Sequence, residues 1–99
     1  MKLFDLNPYI ELIESFLSNQ ISPFEFQRKY LDMFKEDDSE GTEEEYEVLN
    51  DLFGDVDAFY ADPELRGPDD LDENGLRRHS EIALKKLILL RNHRRLQEP

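Results

Sequence analysis

The spacing of the apolar residues restricts the fold more than any other feature of this sequence. They recur every three or four positions in four separate segments, which places them along one side of an α-helix. No segment keeps the period-two alternation of a strand for long. We therefore predict an all-α fold with helices at about 8–19, 23–36, 43–60 and 73–92. The apolar stripes are Leu6, Ile10, Ile13 and Leu17; Phe26, Tyr30, Met33 and Phe34; Tyr46, Leu49, Phe53, Val56 and Tyr60; and Leu76, Ser80, Ala83, Leu87 and Leu90.

Capping residues mark the starts of these helices. Asn7-Pro8 and Ser22-Pro23 each place a cap residue before a proline, which suits the first helical turn. Thr42 and Glu45 have the spacing of a capping box, and Asp72 is a suitable cap for the last helix. Four amphipathic helices with short connections predict an antiparallel four-helix bundle.

The composition excludes several classes of protein. The 99 residues include 24 acidic and 12 basic residues, for a net charge of −12. That balance argues against nucleic-acid binding and against anionic membrane surfaces, both of which need basic residues. We expect a single domain over residues 1–99.

Cysteine is absent, which removes disulfides, thiolate metal sites and cysteine nucleophiles. No apolar run is long enough for a transmembrane helix. The first residues, MKLFDLNPYIELIE, carry acids where a signal peptide needs an apolar stretch. We expect a cytoplasmic protein, with the C-terminal RNHRRLQEP frayed.

Negative charge is concentrated in residues 36–73, which hold 17 acidic residues and one basic residue, Arg66. Residues 74–99 hold 2 acidic and 7 basic residues. The acidic segment also contains many apolar residues, so it is unlike a disordered acidic tail. We expect its carboxylates to coat an ordered element.

The sequence contains no recognisable catalytic arrangement. It has no G-x-S-x-G or H-E-x-x-H motif and no glycine-rich phosphate loop. His79 and His93 are too far apart to share one helical metal-binding face. We predict that the protein is not an enzyme and needs no cofactor or metal.

One motif matches calcium-binding loops. Residues 70–81 fit D-x-[DN]-x-[DN]-G-x5-E, the pattern that supplies oxygen ligands and a closing glutamate. However, Gly67-Pro68 would stop the helix that has to precede such a loop, and Arg77 occupies its eighth position. A helix capped by Asp72 explains the same residues, and a calcium-binding module remains an alternative.

Three segments together resemble the self-protective colicin-like immunity family, to which the colicin D immunity protein belongs. They are FLSNQISPFEFQRKYLDMF at 16–34, LNDLFGDVDAFYADPELRG at 49–67 and LDENGLRRHSEIALKKL at 71–87, about half of the chain. The resemblance implies a helical bundle that binds and blocks the nuclease domain of a cognate bacteriocin. Similar proteins serve in contact-dependent growth inhibition, and the colicin D type blocks a tRNA-cleaving nuclease. The colicin E immunity group is also helical and acidic, but its adjacent-tyrosine motif is missing here.

Electrostatics favours the same function. A nuclease must attract phosphate, so an inhibitor that fills its basic cleft should present carboxylates. We expect a monomer that forms a 1:1 complex with the basic toxin domain. An acidic regulatory or adaptor module that sequesters a basic partner is the alternative, and Tyr60 also fits the inner stripe of the third helix. The predicted toxin-binding residues are Asp51, Asp55, Asp57, Tyr60, Asp62, Glu64, Asp69 and Asp70.

Overall fold

The computed structural model describes residues 5–39, 41–60, 62–68 and 70–97. The helices are α1 (Leu6–Leu17), α2 (Pro23–Glu36), α3 (Glu43–Asp57) and α4 (Glu73–Gln97). Within the described ranges there is no strand, and one isolated bridge pairs Phe59 with Leu71. The all-α prediction is confirmed. None of the described helices is both long and apolar enough to cross a membrane.

Neighbouring helices run in opposite directions. Each helix contacts the next one along the chain, and α1 also packs on α4. Tyr9 of early α1 meets Tyr30 of α2, whereas Phe16 of late α1 stacks on Phe26. Contacts between α2 and α3, between α3 and α4, and between α1 and α4 likewise join the early part of one helix to the late part of the other. The fold is therefore the predicted antiparallel four-helix bundle, with α1, α2 and α3 linked by short loops.

Large aromatic residues fill much of the core. Tyr30 is fully buried, and its hydroxyl donates a hydrogen bond of 2.8 Å to the carbonyl oxygen of Leu49. The Tyr9 hydroxyl donates a 2.6 Å bond to Asp37. Burial raises the pKa of both tyrosines well above the usual range, so both hydroxyls remain protonated donors. The buried apolar residues are Leu6, Tyr9, Ile10, Leu12, Ile13, Phe16, Phe26, Tyr30, Leu49, Leu52, Val56, Phe59, Leu76, Ala83 and Leu87.

Three of the predicted caps are present. The Ser22 hydroxyl accepts the N–H of Glu25, and Thr42 and Glu45 form a reciprocal capping box. Asp72 accepts the N–H of Gly75 at 2.8 Å at the start of α4. Each of these caps stabilises a helix by about 1 kcal/mol, because it satisfies a backbone N–H that the helix leaves without a partner.

The ends of α1 differ from the prediction of 8–19. Asp5 caps the helix by accepting the N–H of Asn7, so Pro8 lies within the first turn, where its missing N–H costs nothing. The helix ends at Leu17, and Asn19 adopts a left-handed φ of 64°. A left-handed residue just past the last turn is a common way to end a helix, and asparagine tolerates it well.

The end of α3 and two members of its inner stripe were predicted wrongly, whereas Leu49 and Val56 are buried as predicted. The helix ends at Asp57 rather than at residue 60. Tyr46 and Tyr60 are 48% and 43% exposed, and Leu52 and Phe59 are buried instead. Leu52 and Phe59 continue the helical spacing of Leu49 and Val56 as well as Tyr46 and Tyr60 do, so the sequence alone could not decide which pair is buried.

The last helix is longer than the predicted 73–92. It continues to Gln97, where the expectation was a frayed tail. Residues 93–97 include neither glycine nor proline, and most of them have good intrinsic helix propensity. Helix formation therefore continues through this segment.

Candidate functional site

The connection from α3 to α4 is a loop whose two ends are tied together. The N–H of Tyr60 donates to the carbonyl oxygen of Leu71 at 3.0 Å, and the N–H of Leu71 donates to that of Ala58 at 2.8 Å. Residues 60–70, here called the acidic loop, therefore leave and rejoin the bundle at one place. Compact loops of this kind, with closely spaced ends, frequently carry function.

Side chains within the acidic loop fix its turns. Asp62 accepts the N–H of Glu64 at 3.0 Å, and Asp70 accepts the N–H of Gly67 at 2.8 Å. Arg66 donates through Nε to the carbonyl oxygen of Tyr60 at 3.1 Å. The described turns of the loop, within residues 62–68 and at Asp70, are therefore held by hydrogen bonds although most of the described loop residues are exposed.

A groove of about 430 Å³ lies where the start of α2, the end of α3 and the acidic loop meet. Two of its lining residues are the predicted site carboxylates Asp57 and Asp62, and no described lining residue is basic. The lining residues are Phe24, Gln27, Asp57, Phe59, Tyr60, Asp62 and Leu65. This surface, called the groove below, is thus apolar at its walls and negatively charged at Asp57 and Asp62.

Several large apolar side chains of the groove are exposed to solvent. Phe24, Tyr60 and Leu65 are 63%, 43% and 66% exposed, and they are three of the six large apolar residues exposed in the described part of the chain. The Phe24 ring approaches the buried Phe59 edge-on, with centroids 6.1 Å apart. Clustered exposed apolar residues with polar neighbours are typical of protein-binding sites.

Gln27 holds the groove in shape. Its amide Nε2 donates to the carbonyl oxygens of Val56 and Phe59, at 3.0 and 3.2 Å. Carbonyls in the last turn of a helix lack the usual helical N–H partner. The Val56 carbonyl also accepts the N–H of Phe59 at 3.2 Å, and Gln27 adds a side-chain donor to it and to the Phe59 carbonyl just beyond α3. The same two bonds fix the start of α2 against the end of α3.

The sequence prediction missed Phe24, Gln27 and Leu65. A signal for Phe24 was available, because it lies outside the inner stripe of its helix and so had to be on the outer side. Leu65 lies in a loop and Gln27 bonds residues 29 and 32 positions away, so local patterns gave no indication of either role.

Two predicted residues face a different part of the molecule. Successive positions on a helix differ by about 100°, so Asp55 and Asp57 lie on nearly opposite sides of α3. Asp55 Oδ2 is 3.0 Å from His79 Nδ1, and Asp51 shares with them a cavity of about 160 Å³ between α3 and α4. Lys86 also lines this cavity, here called the α3–α4 cavity.

The predicted site therefore divides into two groups. Asp57, Tyr60 and Asp62 line the groove, with Glu64 and Asp70 in the adjoining acidic loop, whereas Asp51 and Asp55 line the α3–α4 cavity. Asp69 lies outside the described residues.

Residues 70–81, which match the calcium-loop pattern, form the capped start of α4. Because α4 begins at Glu73, most of the twelve residues are helical, and Glu81 lies about 12 Å along the helix axis from its start. Asp70 and Asp72 each accept a backbone N–H. No cluster of metal-binding side chains occurs among the described residues.

A second concave surface lies between α1 and α4, across the bundle from the seam between α2 and α3. It has a volume of about 670 Å³ and is lined by Glu11, Glu14, Ser15, Leu17, Ser18, Gln20 and Leu84. It contains no aromatic residue, and both of its leucines are half-buried. The apolar contact that it offers a partner is therefore smaller than that of the groove.

Comparison with known proteins identifies a single family. The family model described as bacterial self-protective colicin-like immunity matches residues 4–87. That range includes α1, α2, α3, the acidic loop and the first 15 residues of α4. No curated protein and no solved structure matches the chain.

Proposed function

The chain belongs to the bacterial self-protective colicin-like immunity family, and we propose that it neutralises a cognate nuclease toxin by covering the toxin's active site. Membership makes it an immunity protein against a colicin-type toxin, and proteins of this family are not catalysts. The nuclease target, the surface used and the mode of inhibition are the parts that we propose.

One observation carries the proposal: carboxylates stand at and beside an exposed groove on the most acidic part of the chain. Asp57 and Asp62 line the groove, and Glu64 is exposed next to it. A nuclease cleft is basic because it binds phosphates, so these carboxylates can occupy the positions of phosphate groups. The resemblance of three segments to the colicin D group favours a tRNA-cleaving toxin.

The proposed complex contains one copy of each protein and forms in the cytoplasm, where the RNA substrate of such a toxin is found. The same arrangement suits a toxin delivered by a bacteriocin or by contact-dependent inhibition. Long-range attraction between the acidic surface and the basic cleft accelerates association.

The test uses the nuclease domain of the cognate toxin, sought first among the products of the neighbouring genes. We expect co-expression to rescue bacteria from that domain, and we expect the purified proteins to form a 1:1 complex that excludes tRNA. The association rate should fall steeply as salt is raised, because the screening length decreases from about 10 Å at 0.1 M to about 3 Å at 1 M.

Three results would contradict this function. They are rescue without binding, RNA cleavage by the protein itself, and a complex in which the nuclease still binds and cleaves tRNA. Binding to a basic regulatory protein, with no effect on any toxin, would instead support the acidic adaptor.

A further inference from the structure

We infer that the groove is a specificity pocket for one apolar side chain of the toxin that lies next to an arginine or lysine. Phe24, Tyr60 and Leu65 contact the apolar side chain, and Asp57 and Asp62 pair with the neighbouring cation. This inference rests on the proposed function, and it adds a contact surface that phosphate imitation does not require.

The walls of the groove are apolar and exposed. Phe24 and Leu65 each expose about two thirds of the side chain in a protein whose net charge is −12. Imitating phosphate requires only carboxylates, so these apolar residues have no function in that role. Aromatic side chains in well-packed pockets are the residues that most often dominate binding energy at protein interfaces.

Contacts between α2, α3 and the acidic loop hold the groove in one shape. Gln27 fixes α2 to the end of α3, Phe24 rests on the buried Phe59, and the backbone bridge to Leu71 fixes the base of the acidic loop. A pocket that is already formed loses little conformational entropy when a side chain enters it.

The charges identify the chemistry of the occupant. Asp57 and Asp62 are the carboxylates of the lining, and no described lining residue is basic. An apolar group alone would partly desolvate these carboxylates and supply no cation to pair with their charge, which is costly. A toxin segment that presents arginine or lysine beside an apolar side chain satisfies both parts of the groove.

Discrimination between toxins follows from the groove having both carboxylates and apolar walls. Nuclease toxins that bind phosphates through basic residues share a positive cleft, so the carboxylates attract cognate and non-cognate toxins of this kind alike. A shaped apolar pocket rejects a toxin that lacks the matching side chain, since specificity is a difference between two affinities. In this scheme the charges control the rate of association and the groove controls the lifetime of the complex.

The experiment compares two leucines of equal exposure. Leu65 in the groove is 66% exposed, and Leu89 is 68% exposed. Leu89 lies about 24 Å along α4 from the start of that helix, far from the acidic loop. We expect Leu65→Ser to raise the rate of dissociation from the toxin's nuclease domain at least tenfold, with the association rate and its salt dependence unchanged. Leu89→Ser should change neither rate.

A second pair of variants tests whether a groove residue outside the acidic loop also slows dissociation of the toxin. Phe24→Ala should also accelerate dissociation at least tenfold, whereas Tyr46→Ala, which removes another exposed aromatic residue, should have little effect. Circular dichroism melts establish that each variant is folded. The groove variants should also bind a panel of related nuclease domains with less discrimination than the wild type.

The outcomes separate this inference from the proposed function. If the wild type binds the nuclease but Leu65→Ser and Phe24→Ala bind equally well, the groove is not part of the interface and only the inference is wrong. If the wild type does not bind the nuclease, the proposed function fails and the inference fails with it. If the wild type forms a dimer that Leu65→Ser dissociates, the groove binds a second copy, and the inference is overturned.

Discussion

Two carboxylates on α3, only two residues apart, lie in opposite surroundings. Asp55 faces α4, where His79 is 3.0 Å away and Lys86 lines the same cavity. Asp57 faces the groove, where the described lining residues include another carboxylate and no base. The two residues contribute equally to the net charge, but Lys86 and His79 lie near Asp55, whereas no described residue that lines the groove beside Asp57 is basic.

From this difference we propose that the groove side of the acidic segment, rather than the cavity side, binds the toxin. Lys86 of α4 offsets part of the charge on the cavity side of α3, so that side should attract a basic partner less strongly. The groove side has no such compensation among the residues that line it. We therefore expect charge changes on the two sides to have effects of different size.

The largest effect is expected on the groove side. Asp57→Lys or Asp62→Lys should weaken toxin binding by about 2–5 kcal/mol, because each places a cation where the toxin presents another. Titration calorimetry at several salt concentrations measures the loss. The control variants Glu11→Lys and Glu14→Lys, on the seam between α1 and α4, should cost little. Equal losses in all four variants would mean that only the total charge matters.

The next effect concerns the side chain that shapes the groove. Gln27→Leu should lower the free energy of unfolding by about 1–3 kcal/mol, because the Phe59 carbonyl loses its side-chain donor and the Val56 carbonyl keeps only backbone N–H donors. Chemical denaturation measures this change, and Gln20→Leu on an exposed position is the control. Unchanged stability in Gln27→Leu would show that water replaces the amide and that the groove does not depend on it.

A smaller effect is expected on the cavity side. Asp51→Lys should weaken toxin binding by less than about 1 kcal/mol, because Asp51 lies beside Lys86 and His79 and away from the groove. The same calorimetric series measures it against Asp57→Lys. A loss as large as that of Asp57→Lys would place the toxin on both sides of α3 and remove the distinction drawn here.

The smallest effect concerns the pair between α3 and α4. Both side chains of the Asp55–His79 pair are partly exposed, so their interaction should contribute about 0–1 kcal/mol to stability. A double-mutant cycle with Asp55→Ala and His79→Ala measures the coupling. A coupling above 2 kcal/mol would show that the pair is a principal contact between the two helices.

The sequence alone determined the helices and most of their starts. Ser22 and Thr42 each cap a helix through a residue three positions away, so the information is local. The apolar spacing likewise predicted the buried Phe26, Tyr30 and Leu49. The concentration of acidic residues in 36–73 identified the region of the candidate surface without locating its parts.

The tertiary structure alone decided where α3 ends and what the acidic residues face. Its end is fixed by Gln27 and by the backbone of Leu71, both distant in sequence, and this leaves Tyr60 outside the helix. The groove likewise combines Phe24 with Leu65, which no local pattern connects. Helical spacing limits which residues share a face, but only packing against neighbouring helices determines which face is buried, and so which carboxylates meet a base and which remain exposed to a partner.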